Sequence, residues 1–280
     1  MKKIITGLCS IVLFLGCATN PITGRKQLSM VSETNLFPQS FAAYQQTLKK
    51  SKLSTNAQHN AQVQRVGKRI QVAVEKFFND IGKPHALANY KWEYKVIESD
   101  QLNAWCMPGG KVAFYTGILP VCKDDAGIAV VMGHEIAHAI ANHGGERMSQ
   151  GKLINIGSSA VAIGAGGASA STQQAIMQAY GIGSQVGMLS YSRKHEAEAD
   201  EMGILFMALA GYDPTVAPAF WERMEAMSNT NGQQAPPEFM STHPHPKTRI
   251  AELNAIMPIA KQVYQTKSIE PYFLAKKRKR

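Results

Sequence analysis

The chain has 280 residues, 45% of them hydrophobic, and a formal net charge of +10. That length buries a full core in one large domain or two small ones. Lys2, Lys3 and the run Lys276–Arg280 account for seven of the ten units of net charge, so the body is only mildly basic. With no basic patch interleaved with aromatics, it argues against a nucleic-acid partner.

Residues 1–16 join a positive start to a short apolar run, too short to span a bilayer, and read as a signal peptide. Leu15-Gly16-Cys17 resembles a bacterial lipobox, although Phe14 stands where leucine is usual. The resemblance implies cleavage before Cys17 and lipidation of its thiol. Ala18, not aspartate, follows the cysteine, which implies the periplasmic face of the outer membrane. The basic C-terminal run is a candidate for contact with an anionic membrane surface. Polar residues 17–35, with Pro and Gly, read as a lipid-attached tether. Cys9 leaves with the signal, so Cys106 and Cys122 remain, and an oxidising compartment permits a disulfide between them. Two buried thiols would look the same in sequence.

From Ala57 to Asn79 the spacing of Val63, Val66, Ile70, Val74 and Phe77 predicts a helix, with Ser54, Thr55 or Asn56 as its cap. The alternating stretch Tyr90–Ser99 predicts a strand, and Leu102–Leu119 predicts two short strands turning at Pro108-Gly109-Gly110. A helix from about Asp125 to Asn142 follows. The stretch Leu153–Leu189 is rich in Gly, Ala and Ser, but Gln173, Gln174, Gln178 and Gln185 interrupt any membrane-spanning run. It reads as close-packed helices and a candidate lid. Arg193 onward predicts a helix stopping at Gly211; Asp213-Pro214 starts another, and Pro246 opens a last one. Helix, small sheet, then helices define an α+β class.

The helix around residue 134 carries two histidines and a glutamate among apolar residues, which are costly to bury unless something binds them. His134 and His138 are four apart, about 40° around a helix and about 6 Å along it, so both imidazoles reach one ion. Glu135 lies beside them, placed to take a proton from an activated water. This is the HExxH arrangement of zinc peptidases. Zinc needs a third protein ligand. The metzincin pattern requires glycine at 141 and histidine at 144, where the chain has Ala141 and Gly144. His143 falls out of phase with the zinc face and reads as a residue at the helix C-terminus. A second helix offers Glu196, Glu198 and Asp200; Glu196 and Asp200 share a face, and Glu198 points away.

HExxH followed by Ser192, Arg193, Glu196, Ala199 and Asp200 closely resembles metallopeptidase family 48, the gluzincins that include HtpX-type and CAAX-processing proteases. The resemblance covers roughly residues 30–260 and is closest to the periplasmic, lipid-anchored LoiP-like and Oma-like members. It implies a mostly helical zincin-like domain over 36–260, with a small antiparallel-edged sheet beside the motif helix and a basic tail over 261–280. It also implies one zinc ion held by His134, His138 and Glu196, with Asp200 orienting a ligand histidine. Asn103 and Ala104 match the edge strand that pairs with an extended substrate in such enzymes. His243-Pro244 followed by Arg249-Ile250 matches a further family pattern. His243 is either an oxyanion donor or a latent occupant of the open zinc position, and Arg249 either serves the oxyanion or anchors Asp200. The expected function is zinc-dependent hydrolysis of peptide bonds in envelope proteins, misfolded ones above all, with quality-control or assembly factors as partners. The rivals are a non-proteolytic zinc-stabilised chaperone and a membrane-embedded CAAX-type enzyme, the latter disfavoured by the short apolar runs.

Overall fold

A computed structural model describes residues 17–31, 33–158, 192–230, 238–243 and 246–278. The signal-peptide reading of 1–16 and most of the candidate lid fall outside the described residues.

Strands β1 (Cys17–Thr19) and β2 (Lys26–Leu28) form an antiparallel ribbon, followed by helix α1 (Glu33–Lys50). Helix α2 (Ala57–Asp80) begins where the Asn56 side chain accepts from the backbone N–H of Gln58 and His59, satisfying two of its orphan donors. Its stripe of Val63, Val66, Ile70, Val74 and Phe77 is buried, as the spacing predicts.

Strands β3 (Glu93–Ile97), β4 (Ala104–Met107) and β5 (Lys111–Tyr115) make a three-stranded sheet in the order β3-β5-β4. β3 runs parallel to β5, and β4 pairs antiparallel to it along the edge. Gly109 and Gly110 take φ of +80° and +81° at the hairpin, a conformation that glycine adopts without strain. β4 packs against the helix that carries the HExxH motif.

After the short helix α3 (Leu119–Cys122) comes the motif helix α4 (Asp125–Ile140), capped by the Asp124 side chain on the Gly127 N–H and buried from Gly127 to Ile140. The chain turns at Asn142, whose φ is +53°, and starts α5 (His143–Ser158). His143 therefore opens a new helix; the expected extension of α4 to Asn142 does not form. Helices α6 (Arg193–Leu209), α7 (Val216–Thr230), α8 (Glu238–Thr242), α9 (Pro246–Thr266) and α10 (Glu270–Arg278) complete the fold. Among the described residues no helix is long and apolar enough to cross a membrane.

The two ends depart from their sequence reading. The expected tether packs on the domain: Ile22 and Val31 are buried, and the Asn142 side chain donates to the Val31 carbonyl at 3.2 Å. Within the expected basic tail, the described residues form the end of α9 and then α10, because Ile269, Tyr272 and Phe273 recur at helical spacing and pack on the core, the Phe273 ring 6.3 Å from that of Phe77. The disulfide considered between Cys106 and Cys122 is not formed. Both are buried thiols, one on the edge strand and the other ending α3, each within the apolar core.

Candidate metal centre

The site is set by how closely two apolar helices cross. A Cβ on Gly133 of α4 would lie 2.7 Å from the Gly203 carbonyl oxygen, and one on Gly203 of α6 would lie 2.8 Å from the His134 nitrogen. Only two glycines let the backbones approach this far. Glu196 and Asp200 sit on the same face of α6 as Gly203, at spacings of seven and three, so the crossing carries both carboxylates to His134.

The side chains converge. Nε2 of His134 and of His138 are 3.0 Å apart, and Nδ1 of His243 is 3.1 Å from both His134 Nε2 and Glu196 Oε1. Glu196 Oε2 is 3.5 Å from His134 Nε2, and its Oε1 is 3.5 Å from His138 Nε2. One ligand atom from each of these four buried residues lies within 4.8 Å of the others.

The donor set fits a cation. His134 Nδ1 lies 3.0 Å from both the Asp200 carboxylate and Arg249 Nη2; with the ring proton on Nδ1 shared with the carboxylate, Nε2 is left as a lone pair. That lone pair points at two further imidazole nitrogens and a carboxylate, an arrangement without enough protons to satisfy itself and suited to a divalent ion with N and O ligands. Zinc is the cofactor of this chemistry, and the cluster of His134, His138, Glu196 and His243 offers ligand atoms for one ion.

Around them, Asp200 accepts from Arg249 Nε at 2.7 Å and Nη2 at 2.6 Å. The guanidinium lies 3.4 Å over the Trp221 ring, a cation–π contact. Nη1 is also 2.8 Å from Glu196 Oε2, out of hydrogen-bond alignment. Of the two roles considered for Arg249, this geometry favours anchoring Asp200. Glu135 is buried, with Oε1 3.4 Å from His243 Nε2.

Burial pushes the Glu135 carboxyl up to about 8. Glu196 is as deeply buried, which opposes its charge, but His243 and Arg249 hold it well below the usual carboxylate range. Burial, reinforced by the neighbouring His134, lowers His138 well below an ordinary histidine, keeping the imidazole neutral as a ligand must be.

Ala104 opens β4 and Asn103 immediately precedes it, both buried. The Asn103 carbonyl accepts from Tyr115 N–H at 3.0 Å, while its Nδ2 has no hydrogen-bond partner among the described residues. The sequence reading missed a second cluster. His143 Nδ1 lies 2.9 Å from His138 Nδ1, and His143 Nε2 lies 3.0 Å from Glu198 Oε2. Glu198 was expected to point away and His143 to stand apart. The first faces the interior because α6 is enclosed on more than one side, and the second because the turn at Asn142 resets the helical phase. A third histidine five residues beyond the HExxH pair was the available signal.

Crossed helices supplying HExxH and a distal glutamate beside a small edge-stranded sheet define a zincin-type metallopeptidase domain. Peptidase family M48 matches residues 57–257, a span that contains every converging side chain, and the chain belongs to that family. It is 36% identical over 181 residues to the mitochondrial metalloendopeptidase OMA1 of Schizosaccharomyces pombe, covering 64% of this chain and 51% of that protein. With the human metalloendopeptidase OMA1, mitochondrial, it is 27% identical over 278 residues, 96% of this chain and 52% of the relative. With the beta-barrel assembly-enhancing protease of Escherichia coli it is 29% identical over 198 residues, 67% and 38% respectively. The chain thus spans about half or less of the length of these curated relatives.

Proposed function

We propose that this protein is a zinc-dependent endopeptidase of the bacterial cell envelope, acting on misfolded envelope proteins. The observation that carries the reading is the convergence of His134, His138 and Glu196 with the buried Glu135 carboxylate beside them. Zinc held by these residues would supply Lewis acidity at the scissile carbonyl and would lower the pKa of a water toward about 7. Glu135 takes the water proton and returns it to the leaving amine. Asp200, fastened by Arg249, fixes the His134 tautomer. The edge strand β4 offers backbone groups to an extended substrate, and the Asn103 Nδ2 donor faces the same task.

His243 acts as a latent fourth ligand. Its Nδ1 lies within the ligand set, and the short helix α8 just before it is tied to the edge strand's approach by the Phe239 N–H on the Leu102 carbonyl at 3.1 Å. The lipobox-like sequence at the exposed Cys17 supports lipidation and an outer-membrane setting. The printed name of the Escherichia coli relative refers to beta-barrel assembly, which supports an envelope role; the OMA1 relatives are named as mitochondrial.

Glu135→Gln is the direct test. It is expected to retain one zinc per chain by elemental analysis while cleavage of an unfolded protein such as casein falls on the order of 10²–10⁴-fold. Undiminished cleavage would remove Glu135 as the base.

A further inference from the structure

Two imidazoles grip the proposed ion, but their supports differ. His134 is backed by Asp200 and Arg249. His138 is backed by another imidazole: His143 Nδ1 lies 2.9 Å from His138 Nδ1, and His143 passes the contact on through Nε2 to Glu198 Oε2 at 3.0 Å. Glu198 also accepts from the Thr23 hydroxyl and from Arg25 Nε, both in the turn between β1 and β2. Arg25 spans to Glu146, its Nη2 2.7 Å from Oε2, and Glu146 accepts in turn from His195 Nε2 at 3.0 Å. The His195 ring stacks on His143, centroids 4.5 Å apart at 29°.

Proton placement follows from these partners. An ionised Glu198, held by an arginine and a hydroxyl, is an acceptor, so His143 carries its proton on Nε2. His143 Nδ1 is then an acceptor, and the proton between the two imidazoles belongs to His138 Nδ1. His138 Nε2 is left as a lone pair directed into the ligand set. Each hydrogen bond in the row leaves one arrangement for the next.

We propose that His143 and Glu198 are positioning residues that orient His138 for the metal, and that the N-terminal ribbon completes this support through Thr23 and Arg25. The inference rests on the zinc reading above. It gives the segment read as a tether a part in the site, since the carboxylate that fixes the row is itself held from that segment.

The test uses the purified full chain and zinc affinity by chelator competition. Outer partners of a ligating histidine typically contribute 10–100-fold to metal affinity, and a loss of about that size is expected for His143→Leu. His143→Asn, whose amide oxygen reaches the Nδ1 position, is expected to recover much of the loss. Glu198→Gln and Arg25→Gln should weaken zinc in the same direction. With cobalt in place of zinc, the visible bands should shift in His143→Leu, a signature that a merely space-filling role would not move. Wild-type affinity and an unchanged cobalt spectrum in a folded His143→Leu protein would overturn the proposal. If that variant does not fold, Arg25→Gln decides, because Arg25 is partly exposed; unchanged zinc affinity there overturns it equally. A wild-type chain that binds no zinc would overturn the metal reading itself.

Discussion

Glu135 and Glu196 are two carboxylates buried beside the same histidines and pushed in opposite directions. Desolvation raises Glu135 to about 8, whereas His243 and Arg249 outweigh the same desolvation at Glu196. The opposite shifts of the two carboxyls are made by environment and not by residue type. His243 touches both. Because its Nδ1 lies in the ligand set, His243→Ala is expected to open a coordination position and raise casein cleavage several-fold, on the order of 1 kcal/mol in the barrier. A fall in activity at unchanged zinc content would instead assign it to the oxyanion. The HExxH pair was legible because both residues ride one continuous helix. His143 was not, since counting phase beyond Ile140 assumes a helix that the left-handed Asn142 interrupts.

At the scale of elements, the crossing of α4 and α6 governs the site. Gly203→Ala would drive a methyl group against the backbone of Gly133 and His134, which a flexible side chain cannot relieve. A loss of about 1–3 kcal/mol is expected from such overpacking, together with weaker zinc binding as the helices part. Thermal unfolding with and without zinc checks both, and a variant matching wild type in each would show that the crossing tolerates more distance. Helices α2, α4, α6, α7 and α9 and the hairpin were readable from periodicity and turn residues, whereas α1, α5 and α10 were not. The glycine pair was not, because a close approach is a property of two helices and neither segment alone displays it. The sheet's order, with β3 parallel to β5, was likewise beyond local pattern.

For the whole molecule, the ends are the informative parts. The ribbon and α10 meet where Lys276 Nζ donates to the Thr23 carbonyl at 3.0 Å and lies 3.2 Å from Glu201. Polar composition suggested a tether and a tail because buried ion pairs are invisible until the partners are known. Glu146 shows their strength: burial opposes its charge, but His195 and Arg25 hold it down to about 2. Its folded value lies below the unfolded value of about 4.3, so this group stabilises the fold above that pH and the contribution is lost as pH falls toward 2. Arg25→Gln is therefore expected to lower Tm at pH 7 and to converge with wild type near pH 2. A pH-independent difference would assign the effect to packing. Finally, the residues that meet at the crossing are far apart along the chain: α4 supplies two imidazole nitrogens, and the carboxylate of the proposed site arrives only with residue 196. A growing polypeptide thus passes through a long interval in which the two histidines exist without their carboxylate. On the proposed ligand set, high-affinity ion capture therefore waits for the docking of α6.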